Sequence, residues 1–260
     1  MLEAILNAYR CRDLVISFAV RDIKARYKQT ALGVAWALVQ PLSMMVVFTL
    51  VFSLFAKVPS DGIPYPVFAY SALIFWTFFS NTIAGGTAAI TSNGALIRKI
   101  YFPRETLLLS IMLAGLLDLA VASLLFFGMI LYYKIALTAT ALWVIPLLML
   151  QMLLTLGVVS LTSTVHVHFR DIGHALPLLI QLWMFATPVA YPISVIPDWL
   201  RPAYLVNPMA AIIDGYRRAI ILGAQPDLGA LALSAVVTVV LVATGLTIFK
   251  RAEGTFADVI

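Results

Sequence analysis

The chain has 260 residues, 62% of them hydrophobic and 11% charged, with a mean hydropathy of +1.00. Soluble domains carry about 25% charged residues and disordered chains are poor in apolar ones, so both classes are excluded. Lys and Arg exceed Asp and Glu by 17 to 12; this excess lies in short segments between apolar runs, not on the one solvated face that nucleic-acid binding requires.

Residues 1–29 read as a cytoplasmic leader. Met1 to Arg12 has neither the apolar core nor the small-residue cleavage site of a signal peptide. Ile16, Val20, Ile23 and Tyr27 then recur at i, i+4, i+7 and i+11, which lines one helical face. Arg21, Lys24 and Lys28 fall off that stripe, as do Leu14 and Phe18. The pattern predicts an amphipathic helix along the membrane interface. A merely basic leader that sets topology is the alternative. Arg12, Arg21, Lys24, Arg26 and Lys28 are candidate contacts for an anionic lipid head group, either a substrate's or the bulk membrane's. Cys11 is the only cysteine, so no disulfide forms within the chain.

A single transmembrane domain, 30–260, is expected to follow. A hydrocarbon core about 30 Å thick needs roughly 20 apolar residues in a helix. Uncharged stretches at 30–56, 67–90, 106–133, 141–165, 175–196 and 228–249 predict six spans. Backbone groups in lipid must pair internally, so these are helices. The expected fold is an all-α integral membrane protein with six transmembrane helices. Placing both termini in the cytoplasm puts 12 Lys and Arg inside and five outside (Lys57, Lys134, Arg201, Arg217, Arg218), as the positive-inside bias requires.

In the first span, Phe48, Phe52 and Phe55 stand at i, i+4 and i+7, with Trp36 earlier in the same stretch. Lipid packing is the default for such a stripe; a polysaccharide channel also uses aromatic faces, because sugar C–H faces stack on them. The connection 93–104, NGALIRKIYFPR, is basic yet carries Leu96, Ile97, Ile100, Tyr101 and Phe102. Exposed apolar residues of this kind mark either a docking surface or a dip into the lipid interface. A short helix over 95–101 should stop before Pro103.

Asp118 lies in the middle of the third predicted span. An ionisable group there faces protein or water. It is either a hydrogen-bonding partner across helices or a proton-relay or substrate contact. His166, His168 and His174 cluster near Asp171, but one nearby carboxylate and no thiol make a poor metal set, so no metal is expected. Between the last two spans, Pro188, Pro192, Pro197, Pro202 and Pro208 interrupt 187–227. Asn207-Pro208 reads as an N-cap and first helical residue, and Gly223 as the stop. This segment is predicted to form re-entrant or interfacial helices at the outer mouth.

Catalytic motifs are missing. No Lys sits in a G-x-x-x-x-G-K-[ST] phosphate loop, and neither H-E-x-x-H nor G-x-S-x-G occurs. Any ATP that drives the protein binds another chain.

Several ordered motifs nevertheless resemble one family. They are Arg26-Tyr27-Lys28-Gln29 through Leu32-Gly33 and Trp36 to Gln40-Pro41; Lys57-Val58-Pro59-Ser60 with Pro64-Tyr65; and Trp76-Thr77-Phe78-Phe79. They continue with Lys99-Ile100-Tyr101-Phe102-Pro103-Arg104-Glu105, Phe169-Arg170-Asp171-Ile172, Thr187-Pro188-Val189 with Tyr191, and Asn207-Pro208-Met209. Across nearly the whole chain the pattern resembles the permease subunit of ABC-2-type polysaccharide exporters, which move O-antigen, capsule or teichoic-acid chains.

The resemblance implies a non-catalytic permease in the bacterial cytoplasmic (inner) membrane. It implies a homodimer with two cytoplasmic ATPase subunits that hold ATP and Mg, so this chain carries no cofactor of its own. The substrate it implies is an undecaprenyl-diphosphate-linked glycan. It makes Leu96, Ile97, Arg98, Lys99, Tyr101 and Phe102 the coupling helix, and Trp36, Phe48, Phe52 and Phe55 candidates for the glycan channel. Two alternatives stay open from the residues: an exporter of a small hydrophobic or drug-like molecule, and a proton-coupled carrier or membrane enzyme built on Asp118.

Overall fold

The computed structural model describes residues 11–260; the start of the leader, including Arg10, lies outside the described residues. Every regular element among them is helical. In chain order these are α1 (Arg12–Tyr27), a 3₁₀ turn at Gly33–Ala35, α2 (Trp36–Phe48) running on as a π-helix at Thr49–Phe55, and α3 (Tyr65–Ser92). Then come α4 (Gly94–Lys99), α5 (Glu105–Tyr132), α6 (Val144–His168) and α7 (Ile172–Phe185). After them follow α8 (Arg201–Val206), α9 (Pro208–Ile220), α10 (Leu228–Ala252) and α11 (Phe256–Val259).

Five stretches are long and apolar enough to cross a membrane: Gly33–Phe55, Tyr65–Ser92, Glu105–Tyr132, Ala139–His168 and Leu228–Val259. They coincide with five of the six predicted spans. The remaining one, 175–196, is not one continuous helix. α7 has 14 residues and closes in a turn where the Thr187 hydroxyl donates back to the Trp183 carbonyl at 2.8 Å and Pro188 has no amide to offer.

α3 is the central helix. Its run of Phe68, Tyr70, Leu73, Ile74, Phe75, Trp76, Phe78 and Phe79 is buried by α2, α5, α6, α7 and α9 around it. α6 and α10 pack backbone to backbone: a Cβ on Gly245 would lie 2.5 Å from the Gly157 carbonyl oxygen. Small residues at such a crossing let membrane helices approach closely.

The two ends of the bundle differ. One is basic: it gathers α4, the turn after α6 and the end of α10, with Ile260 packed against Gly94. The other is proline-rich: the Tyr65 hydroxyl donates to the Ala190 carbonyl at 2.7 Å and Ser194 to Asp61 at 2.9 Å. α9 starts inside the bundle, where the Ser234 hydroxyl of α10 donates to the Pro208 carbonyl at 3.1 Å. It ends at the proline-rich end, where Thr140 donates to the Ala219 carbonyl at 2.9 Å. The Asn207 side chain accepts from the Met209 amide, and Gly223 ends the segment at φ +60°, a conformation glycine adopts without strain. Asp227 caps α10 by accepting from the Gly229 and Ala230 amides.

Candidate functional site

At the basic end α4 covers Gly94–Lys99, slightly shorter than expected, because Ile100 is already extended. Of the six residues expected to dock, Arg98, Lys99 and Tyr101 are exposed and Leu96 is half-buried. Ile97 and Phe102 are not surface residues: both are buried, with Phe102 edge-on to Phe18 of α1 at 5.6 Å. Ile100 and Tyr101, 57% and 87% exposed, form the projecting apolar tip.

Behind this tip lies an ion cluster that sequence reasoning missed. The Arg104 amide donates to Glu253 at 3.0 Å and its guanidinium stands 3.7 Å from the same carboxylate. Lys250 bridges Glu105 and Glu253. These charges tie the start of α5 to the end of α10, directly after the exposed Tyr101 in the chain. The four residues lie up to 149 positions apart, so local patterning carried no signal.

The face that the leader packs on the protein is not its predicted apolar stripe. Ile16 and Val20 are exposed, whereas Leu14, Phe18 and Ala19 face the protein. The packed face continues through Asp22, which accepts from Ser110, to Arg26 and Tyr27. α1 therefore runs beside the first half of α5, and the polar residues of that half select the mixed face. Asp118 pairs with Arg26 and accepts from the Tyr27 hydroxyl at 2.6 Å. Burial, then this bond, pushes the Tyr27 hydroxyl up to about 12, so it remains a donor at neutral pH. Of the five cations expected at a lipid head group, Arg26 is held by Asp118, Arg21 by Asp22 at 2.8 Å, and Arg12 stands 3.8 Å from Asp13. Among the described residues, Lys24 and Lys28 are exposed and form no ion pair.

The four aromatics expected to share a channel face do not share one. Phe48 is buried against Phe52 at 5.3 Å, Phe55 is 81% exposed, and Trp36 is half exposed near Asp118. The π-helical ladder is the cause: the Ala56 amide bonds back to Val51, five residues away, so each residue turns the chain less than in an α-helix and Phe55 leaves the stripe. A different set lines up. Gln40 and Ser43 of α2, Ser80 of α3 and Gln181 of α7 border a groove of about 410 Å³, and Asn81 donates to Gln40 at 3.2 Å. Gln40, Ser43, Asn81 and Gln181 are exposed. Amides left facing lipid lack partners, so this face is suited to water or to another protein surface.

Towards the proline-rich end, Arg217 of α9 is buried, and its hydrogen-bond acceptors are all backbone carbonyls. It donates to the carbonyls of Pro188 and Val189, and its guanidinium covers the Phe68 ring at 3.7 Å. Desolvation pushes it down to about 9. Its neighbour Tyr216 stacks on Phe75 at 3.5 Å and donates to Gln151 at 2.9 Å. In sequence Arg217 counted only as an outer charge; the missed signal was a turn rich in prolines whose carbonyls need donors. Among the described residues, no three of His, Cys, Asp or Glu converge as metal ligands. His168 instead faces the Thr164 carbonyl at 3.0 Å.

Comparison with known proteins places this arrangement. The chain is 31% identical to an O-antigen export system permease protein of Myxococcus xanthus over 99% of both chains. It is 28% identical to one of Klebsiella pneumoniae over 95% of both. It is also 23% identical to a polysialic acid transport protein of Escherichia coli over 90% of this chain and 91% of that one. The family model described as ABC-2 type transporter matches residues 14–221. The chain, a multi-span membrane protein, belongs to the ABC-2 type transporter family.

Proposed function

We propose that this chain is the permease subunit of an ATP-driven exporter of a lipid-linked polysaccharide, working as a homodimer with two copies of a cytoplasmic ATPase. The observation that carries this reading is the full-length likeness to O-antigen export permeases. The substrate is an undecaprenyl-diphosphate-linked glycan, and the membrane is the bacterial inner membrane with both termini in the cytoplasm. On this reading the basic end faces the ATPase, and the proline-rich segment with α9 is re-entrant at the outer mouth. Its depth inside the bundle beside Ser234 supports this.

A hydrophilic polymer needs a wet path, and the exposed amides and hydroxyls of Gln40, Ser43, Asn81 and Gln181 supply hydrogen-bonding walls for one. ATP and Mg reside on the partner and supply the energy. This chain's part is to hold Ile100 and Tyr101 out as a docking tip and to pass movement through Arg104, Glu105 and Lys250 into α5 and α10. Nucleotide state then biases two arrangements of the dimer, related by a rigid-body tilt of helices.

Deletion of the gene tests the reading. Lipid-linked glycan should accumulate in the cytoplasm and disappear from the cell surface, with recovery on complementation. Unchanged surface glycan in the deletion strain would refute it.

A further inference from the structure

Where the leader turns into the first span, α1, α2, α3 and α5 enclose a cavity of about 270 Å³ lined by Arg26, Tyr27, Trp36, Gln40, Asn81 and Asp118. Its chemistry is unusual for a membrane bundle. The one cation and one anion in its wall neutralise each other, so it offers no net charge to an anion. A phosphate entering would face the Asp118 carboxylate. What remains is a set of neutral groups with spare hydrogen-bonding capacity. The Asn81 and Gln40 amides are joined by a single bond at 3.2 Å, and each amide has further donors and an acceptor. Asp118 takes one bond on each oxygen from this chain, Tyr27 on one and Arg26 on the other, and a carboxylate has about four acceptor sites. The indole of Trp36 is half exposed beside them, a flat apolar face at the edge of a polar ring.

A carboxylate, two amides and an indole are a complement for a ligand with hydroxyls around its rim and C–H bonds on its faces. The volume is below the roughly 300 Å³ at which drug-sized pockets begin, which suits one ring rather than two. Gln40 and Thr77 line both this cavity and the groove between α2, α3 and α7, so a ring seated here lies at the head of that groove. The unpaired cations, Lys24 and Lys28, lie on α1 and at its C-terminal cap, outside the cavity lining.

We propose that this cavity is a binding subsite for a single uncharged pyranose ring, stacked on Trp36 and hydrogen-bonded by Gln40, Asn81 and Asp118. Resting on the export reading above, the ring is the sugar nearest the lipid anchor, with the anchor's diphosphate left at the surface beside Lys24 and Lys28.

The test compares two lipids on the full-length permease in lipid nanodiscs, with binding read by native mass spectrometry. The probes are undecaprenyl diphosphate bare and undecaprenyl diphosphate bearing one N-acetylglucosamine. Stacking and amide contacts tolerate any hexopyranose, so this sugar suffices. The sugar-bearing lipid should bind about tenfold more tightly, the value of one or two net hydrogen bonds with stacking. Trp36→Ala and Asn81→Ala should each erase that preference and leave affinity for the bare lipid unchanged; Trp36→Phe should keep most of it. Both side chains are exposed, and bare-lipid affinity reports whether each variant is folded. Equal affinity of the native protein for the two lipids would overturn the subsite, as would a preference that survives both alanine substitutions. Equal affinity would do so even in a protein whose strain exports glycan normally, which separates this proposal from the export reading.

Discussion

Tyr101 and Phe102 are adjacent in the chain and opposite in environment, 87% and 6% exposed. A carboxylate at position 102 would be buried beside Phe18 without a partner, which costs about 3 kcal/mol or more. Phe102→Asp should therefore lower the thermal midpoint and the yield of folded protein. Tyr101→Asp should leave both within error and weaken ATPase binding by about tenfold, the scale of one lost interface anchor. Co-purification and a melting curve on the two variants check the contrast. Arg217 makes the second residue-scale case. Arg217→Met keeps the apolar contact with Phe68 but strands the carbonyls of Pro188 and Val189. The expected loss is about 2–4 kcal/mol, read as a lower midpoint in thermal unfolding. A variant as stable as the parent would show that water satisfies those carbonyls.

At the scale of helices, hydrophobic runs predicted the long spans because lipid demands continuous apolar length. Tyr65–Ser92 and Glu105–Tyr132 lie within two residues of their predicted bounds. Where the backbone departs from the α-helical period, sequence periodicity failed: the Phe48, Phe52, Phe55 stripe assumes 3.6 residues per turn, and 49–55 is a π-helix. The leader is helical, as its pattern predicts, but the pattern does not show which side meets the protein. Its packed face was chosen by Ser110 and Asp118 of α5, some ninety residues away, and no local pattern contains that information. The crossing of α6 and α10 yields a prediction of its own. Alanine favours helix over glycine by about 1 kcal/mol, but at Gly245 the added methyl meets the Gly157 carbonyl 2.5 Å away. Backbone cannot yield as a side chain does, so the clash wins. Gly245→Ala should destabilise by about 1–3 kcal/mol, measured by thermal unfolding, whereas Gly128→Ala, which meets nothing within 4 Å, should not.

For the whole molecule, the proposed function is a division of labour with a partner ATPase. The chain has no phosphate loop, and its long helices end in an apolar tip braced by ions against α10. The brace is open to test: Lys250→Met should leave ATPase binding intact and reduce glycan export several-fold, because docking survives while transmission to α10 is weakened. Five of the six spans, the basic end and its apolar residues Ile100 and Tyr101 were legible from composition and order. The polar groove, the Arg217 clasp and the Lys250 cluster were not, because each is assembled from residues distant in the chain. The most direct measurement reconstitutes the permease in liposomes with lipid-linked glycan on one face, with and without the ATPase. ATP hydrolysis and glycan appearance on the far side should require both proteins and cease when Tyr101 is replaced by Asp. Hydrolysis or glycan transfer by the permease alone would contradict the account.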